Sequence, residues 1–227
     1  MTTRSALIAG ASGLVGGHCL DLLLKDESYH GVVALVRKKL PLEHPKLRQE
    51  IVDYERLTEY ADRFAVDDIY CCLGSTIAVA GSQEAFYRID HDYPLTLARM
   101  GADAGAGQFL LITGMGASPD SRFFYNRVKG ELERDIRELA IPAVQFFHPS
   151  LLLGRRHDVR RGERVSAFFM KLFEPLMVGS LRKYRAIESR DVARAMVIVA
   201  REKPAGIHTY ESDRIASIAR AGSMAGS

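Results

Sequence analysis

The apolar run Ser5–Ala9 stops on Gly10-Ala-Ser-Gly13-Leu-Val-Gly16, and a helical pattern starts at Leu14. Few folds need a strand, a glycine-spaced turn and a helix in that order. The first glycine permits a tight turn. The second lets backbone approach a pyrophosphate, and the third lets the helix pack on the strand. The helix N-terminus then offers free N–H groups to an anion. Gly10, Ser12, Gly13, Leu14, Val15 and Gly16 are therefore the first candidates to hold a dinucleotide. A tight strand–helix turn without a ligand is the plainer alternative.

The rest of the chain repeats the alternation. Val32–Val36 (VVALV) has no polar break, as expected of a strand buried on both faces of a parallel sheet. Leu47–Val52, Ile69–Leu73, Phe109–Thr113 and Ala143–Phe147 are further strand candidates, and Ile207–Tyr210 is a weaker one. Between them lie helical stripes. Leu14–Lys25 is one, and Val128, Leu132, Ile136 and Leu139 mark another. Phe86, Ile89, Tyr93, Leu97 and Met100 form a third, with Pro94 demanding a kink or a fresh start. Asp191–Arg201 is a late helix. The pattern predicts an α/β fold with a doubly wound parallel sheet. It divides into one domain over 1–220 and a frayed tail over 221–227. Within the domain, 154–190 is expected to form a small C-terminal substrate-side lobe. Of the 227 residues 47% are apolar, enough for a core.

The end of the second strand reads which dinucleotide. A carboxylate there suits the ribose 2′-OH of NAD, and an arginine suits a 2′-phosphate. Here the run is Val36-Arg37-Lys38-Lys39, so NADP(H) is preferred, with NAD(H) the alternative. A solvated basic loop is the plainer reading of the same residues. Asp53 ends the third strand candidate, where it could bond an adenine amino group or simply serve a surface turn. Cys72-Leu73-Gly74 ends the fourth, where small residues let backbone lie against a ribose.

Tyr125-Asn-Arg-Val-Lys129 places a phenol and an ammonium one helical turn apart. A free Tyr titrates near about 10, and a nearby cation favours its phenolate. Such a pair can move the proton of a carbonyl or alcohol. The spacing is weak alone, since surface pairs share it. It gains weight behind a glycine turn and Arg37.

At this point the sequence resembles the atypical short-chain dehydrogenase/reductases, the NAD(P)-binding group near the Tat-interacting-protein-like oxidoreductases. The resemblance rests on GASGLVG (10–16), ALVRKK (34–39), CCLGST (71–76), AGSQEAFYRIDHDYPLTLA (80–98), FLLITGMGA (109–117), FYNRVKGELE (124–133) and HPSLLLGRR (148–156). It implies a Rossmann fold, bound NADP(H), and Tyr125 and Lys129 in catalytic positions. It also puts His148, Pro149 and Ser150 beside the cofactor. Two departures stand out. The family's serine pair is Thr113-Gly114 here, so Thr113 supports the substrate oxygen if the register falls on it. His148 stands where the family commonly has arginine, as a core or ribose-side residue, with a catalytic base a distant third.

Other signals exclude classes. Lys+Arg number 31 and Asp+Glu 28, a net +3 that makes no general case for nucleic acid. Arg155, Arg156, Arg160, Arg161 and Arg164 crowd one stretch without interleaved aromatics, which reads as a solvated loop or a lid. Phe168, Phe169, Leu172 and Phe173 suit packing of the lobe or a pocket wall. No apolar run approaches the ~20 residues of a membrane span. The seven His lack ligand spacing, so no metal is expected. Cys19, Cys71 and Cys72 read as reduced core thiols of a cytoplasmic protein. The expected partner is a small-molecule substrate, and nothing in the sequence speaks to oligomeric state. Three functions fit: an oxidoreductase, a dinucleotide sensor without fast chemistry, and, less well, an epimerase or dehydratase.

Overall fold

A computed structural model of the chain describes residues 3–154 and 185–224. Seven parallel strands form the main sheet in the order β3-β2-β1-β4-β5-β6-β9. They are β1 (Arg4–Ala9), β2 (Tyr29–Val36), β3 (Leu47–Ile51), β4 (Asp68–Cys71), β5 (Gln108–Ile112), β6 (Ala143–His148) and β9 (Gly206–Glu211). A short separate pair, β7 (Leu152–Leu153) and β8 (Ile187–Glu188), lies beyond β6. The doubly wound sheet agrees with the sequence reading, and the order turns back at β1, which opens a crevice at the carboxyl ends of β1 and β4.

Period-two alternation feeds two cores from the same strands. Ala6 and Ile8 of β1 join Leu110 and Ile112 of β5 on one face. There they pack under the helices α1 (Leu14–Lys25), α6 (Ser189–Glu202) and α7 (Ser212–Met224). Leu7, Ala9, Phe109 and Leu111 face the other side. That side is covered by the helical turns Tyr54–Arg63 and by α4 (Tyr93–Asp103) and α5 (Phe124–Arg137). Helices on both faces explain why VVALV carries no polar break.

The stripe around Pro94 behaves differently from a single helix. Short helices α2 (Ile77–Ala80) and α3 (Gln83–Tyr87) lead into a π-helical turn, Arg88–Asp92, and α4 then starts afresh with Pro94 in its first turn. Phe86, Leu97 and Met100 stay in the core, whereas Ile89 and Tyr93 turn to a cleft. The π turn also buries Asp90 and His91, which α-helical periodicity does not anticipate. α7 runs to Met224, into the segment expected to fray. The basic stretch from Arg155, the Phe168–Phe173 group and most of the 154–190 lobe lie outside the described residues.

The amino ends of four strands meet in one buried polar joint. Asp68, fully buried at the start of β4, accepts from Tyr29 and from Gln108 Nε2 (2.7 Å) and pairs with Arg4 (3.1 Å). Gln108 and Arg4 also donate to the Ala200 carbonyl of α6. Burial pushes the Asp68 carboxyl above its usual range, against the pull of Tyr29, Gln108 and Arg4. The joint aligns β1, β2, β4 and β5 at the end remote from the crevice. Asp68→Ala leaves Arg4 and Tyr29 without their partner and is expected to cost about 3 kcal/mol. The check is a lower urea midpoint at unchanged slope; a loss below about 1 kcal/mol would show the joint to be dispensable.

Candidate functional site

The crevice is a cleft of about 770 Å³ at the carboxyl ends of β1, β2 and β4. That volume lies in the range of ligand clefts, about 300–1,000 Å³. Gly10, Ser12, Gly13 and Leu14 line one side, and Cys72, Leu73 and Gly74 line another. Gly10 has φ +86°, and a Cβ there would lie 2.6 Å from the Cys72 carbonyl carbon. Both backbone conformation and space therefore demand glycine. Gly16 does not line the cleft: its Cβ would lie 2.7 Å from the Gly10 carbonyl carbon, so it lets α1 close on β1. Val15 is buried in the core. No side chain caps α1 and no carboxylate sits in its first turn, so its N–H groups face the cleft ready for an anion. The residues fit a dinucleotide.

Arg37 lines the cleft, exposed and without an ion pair among the described residues. Lys38 is exposed and outside it. Asp53 is a local cap: its carboxylate accepts the Glu55 N–H at 3.0 Å and does not line the cleft. The residue that does is its neighbour Tyr54, which donates to the Leu35 carbonyl (3.0 Å) and packs on Tyr93 with ring centroids 5.5 Å apart. Burial pushes the Tyr54 phenol up, so the ring stays neutral there.

Tyr125 and Lys129 flank the cleft instead of lining it. Tyr125, in the first turn of α5, is 37% exposed, and its ring meets Phe86 at 5.4 Å. Its hydroxyl lies against Gly114: a Cβ there would be 3.6 Å from it. Gly130 sets the approach of the β5–α5 loop, since its Cβ would lie 2.5 Å from Ser118 Cα. Lys129 is buried behind Gly74, whose Cβ would be 3.8 Å from Nζ. Its ammonium pairs with buried Asp90 at 2.7 Å. Asp90 also accepts the Ser75 N–H at 2.8 Å. Burial works against the Lys129 charge, but Asp90 and then Tyr125 more than restore it, and its pKa rises.

Thr113 corrects an expectation. Its hydroxyl turns away from Tyr125 and donates to buried Glu133 at 2.5 Å. The position beside the phenol is Gly114, so the family's hydroxyl is missing there. Ser118 and Ser121 accept the N–H groups of Asp120 and Phe123 within their own loop. His148 also joins Glu133, at 2.6 Å, with Glu211 3.6 Å from its other ring nitrogen. The Pro149 carbonyl accepts from Met115, and the Ser150 hydroxyl bonds Arg185 and Ser212. None of these three lines the cleft.

A model of the NAD dependent epimerase/dehydratase family matches residues 6–122. The chain belongs to that family. Protein HTATIP2 of Rattus norvegicus is 37% identical over 173 residues, 74% of this chain and 71% of its own. Protein FMP52, mitochondrial, of Eremothecium gossypii is 33% identical, covering 74% of this chain and 76% of its own. The structure of MoeE5 in complex with UDP-glucose and NAD superposes with a TM-score of 0.67 at 15% identity, over 97% of this chain and 82% of that one. At that identity the likeness shows the Rossmann fold alone.

These epimerase/dehydratase-family relatives also correct the compartment. Cys19, Cys71 and Cys72 are free thiols, as expected, and suggested the cytoplasm. Yet the FMP52 relatives of three fungi are named mitochondrial. Reduced thiols do not distinguish one reducing compartment from another. Asp90, Tyr54 and Glu133 escaped the sequence reading. The signal for Glu133 was present, since Tyr125, Lys129 and Glu133 recur every fourth residue on one helix face. Thr113→Val is expected to cost about 1.5 kcal/mol of stability through the lost Glu133 bond, with dinucleotide affinity unchanged in a binding titration. A large loss of affinity would return Thr113 to the cofactor site.

Proposed function

We propose that the chain is an NADP(H)-dependent oxidoreductase acting on a small carbonyl or alcohol substrate. The observation that carries the reading is the position of the acid–base pair: Tyr125 stands beside Gly114, and Lys129 lies directly behind Gly74 of the cleft. When bound, the dinucleotide supplies or takes the hydride. The α1 N-terminus and Gly13 hold its pyrophosphate, and Cys72, Leu73 and Gly74 give a close-fitting wall. Arg37, which makes no ion pair among the described residues, pairs with a 2′-phosphate. Tyr125 gives or takes the proton at the substrate oxygen, and Lys129 steadies the ribose and the phenol.

Gly114 favours a second reading. With glycine at 114, the substrate oxygen has one donor fewer than a serine there would give, which suits a dinucleotide sensor with slow chemistry. A panel of carbonyl compounds with NADPH separates the two. In the oxidoreductase, Tyr125→Phe lowers turnover by about 100-fold or more while NADPH affinity holds. Turnover that survives the change removes Tyr125 from the chemistry.

Cofactor choice is tested separately. Arg37→Glu is expected to weaken NADPH at least about tenfold more than NADH in parallel fluorescence titrations. Equal losses would mean that Arg37 does not read the 2′-phosphate.

A further inference from the structure

The Tyr–Lys motif names two charged or titratable groups, but the structure buries a third against them. Asp90 sits on the π-helical turn Arg88–Asp92 with no exposed surface. Both of its oxygens are engaged. Oδ1 lies 2.7 Å from the Lys129 ammonium, and Oδ2 accepts the Ser75 N–H at 2.8 Å. Gly74, which lines the cleft, lies against the pair: its Cβ would lie 3.4 Å from Oδ1 and 3.8 Å from Nζ.

We infer that Asp90 is a positioning residue that anchors the Lys129 ammonium and limits how much of its charge reaches the Tyr125 hydroxyl, while tying both to the Ser75 end of the cleft. The inference rests on the reading of Tyr125 and Lys129 as the acid–base pair. Among the described residues, the titratable groups that act on the Lys129 charge are Asp90 from the π turn, Tyr125 from its own helix and Cys71 from β4. Burial pushes the Cys71 thiol up to about 12, so it stays neutral. Asp90 is the one carboxylate of the three. In a buried setting an opposite charge at contact distance cancels most of the ammonium's field at a third group.

The substitution that isolates this is Asp90→Asn. An amide replaces one of the two oxygens with an NH2 donor, so it cannot meet Ser75 and Lys129 each with its own acceptor as Asp90 does, and it carries no charge. The readout is Tyr125 ionisation in the purified full chain. It is taken as the tyrosinate absorbance difference between each protein and the same protein with Tyr125→Phe. In Asp90→Asn the ionisation is expected at a pH lower by about 1, as an uncompensated ammonium favours the phenolate. Unchanged ionisation in folded Asp90→Asn overturns the inference.

Should Asp90→Asn fail to fold, the double variant Asp90→Asn/Lys129→Met decides, because it removes both members of the buried pair at once. If Asp90 cancels the Lys129 charge, Tyr125 ionises where it does in the parent protein. A rise by about 1 would mean that the ammonium acts on Tyr125 uncompensated, and the inference falls. A purely structural Asp90 would move stability, leave the Asp90→Asn curve where the parent's lies, and let the double variant's curve rise. Neither arm uses a dinucleotide or a substrate. Absent NADPH binding would therefore sink the oxidoreductase reading while leaving this result to stand or fall alone.

Discussion

The backbone contact at Gly10 is the constraint on which the site depends. Its positive φ ends β1 and turns the chain into α1. On one side it touches the Cys72 carbonyl at the end of β4, and on the other its own carbonyl meets Gly16. One residue without a side chain thus brings three elements within backbone contact. A methyl group there would force β4 away from β1 and open the floor of the cleft. The uncapped N-terminus of α1 then faces the space that remains, and an anion is the natural occupant of that end.

The polar groups of the sheet divide by end. At the amino ends, Asp68, Tyr29, Arg4 and Gln108 form a joint whose bonds stay within the protein. At the carboxyl ends lie two further buried clusters, Asp90–Lys129 and Thr113–Glu133–His148, carried in part on one face of α5. The joint fixes the relative height of four strands, and so fixes where their carboxyl ends stop. That separation lets the cleft end carry costly buried charge without loosening the sheet.

Much of this was legible in the chain. The strands, the two-sided burial and the glycine turn follow from unbroken apolar runs and from GASGLVG, because backbone sterics act locally. The fresh start at Pro94 was equally readable. What escaped depended on geometry that periodicity does not encode. A π turn adds a residue to the helical repeat, and that rotates Asp90 inward and Ile89 and Tyr93 toward the cleft. Asp53 read by position as an adenine ligand or a surface-turn residue, and its carboxylate accepts the near N–H of Glu55 at the start of the turn that follows.

Thr113 and Gly114 show why resemblance to a family carries roles only as far as the register. Successive residues leaving a strand point to opposite sides. A shift of one position therefore exchanges the side chain beside Tyr125 for one beside Glu133. The hydroxyl at 113 went to Glu133, together with His148, and the glycine at 114 went to the phenol. The Thr113 hydroxyl therefore supports α5 through Glu133. Glycine at 114 thus faces the Tyr125 hydroxyl, and on the next turn of α5 Lys129 keeps its ammonium paired with buried Asp90.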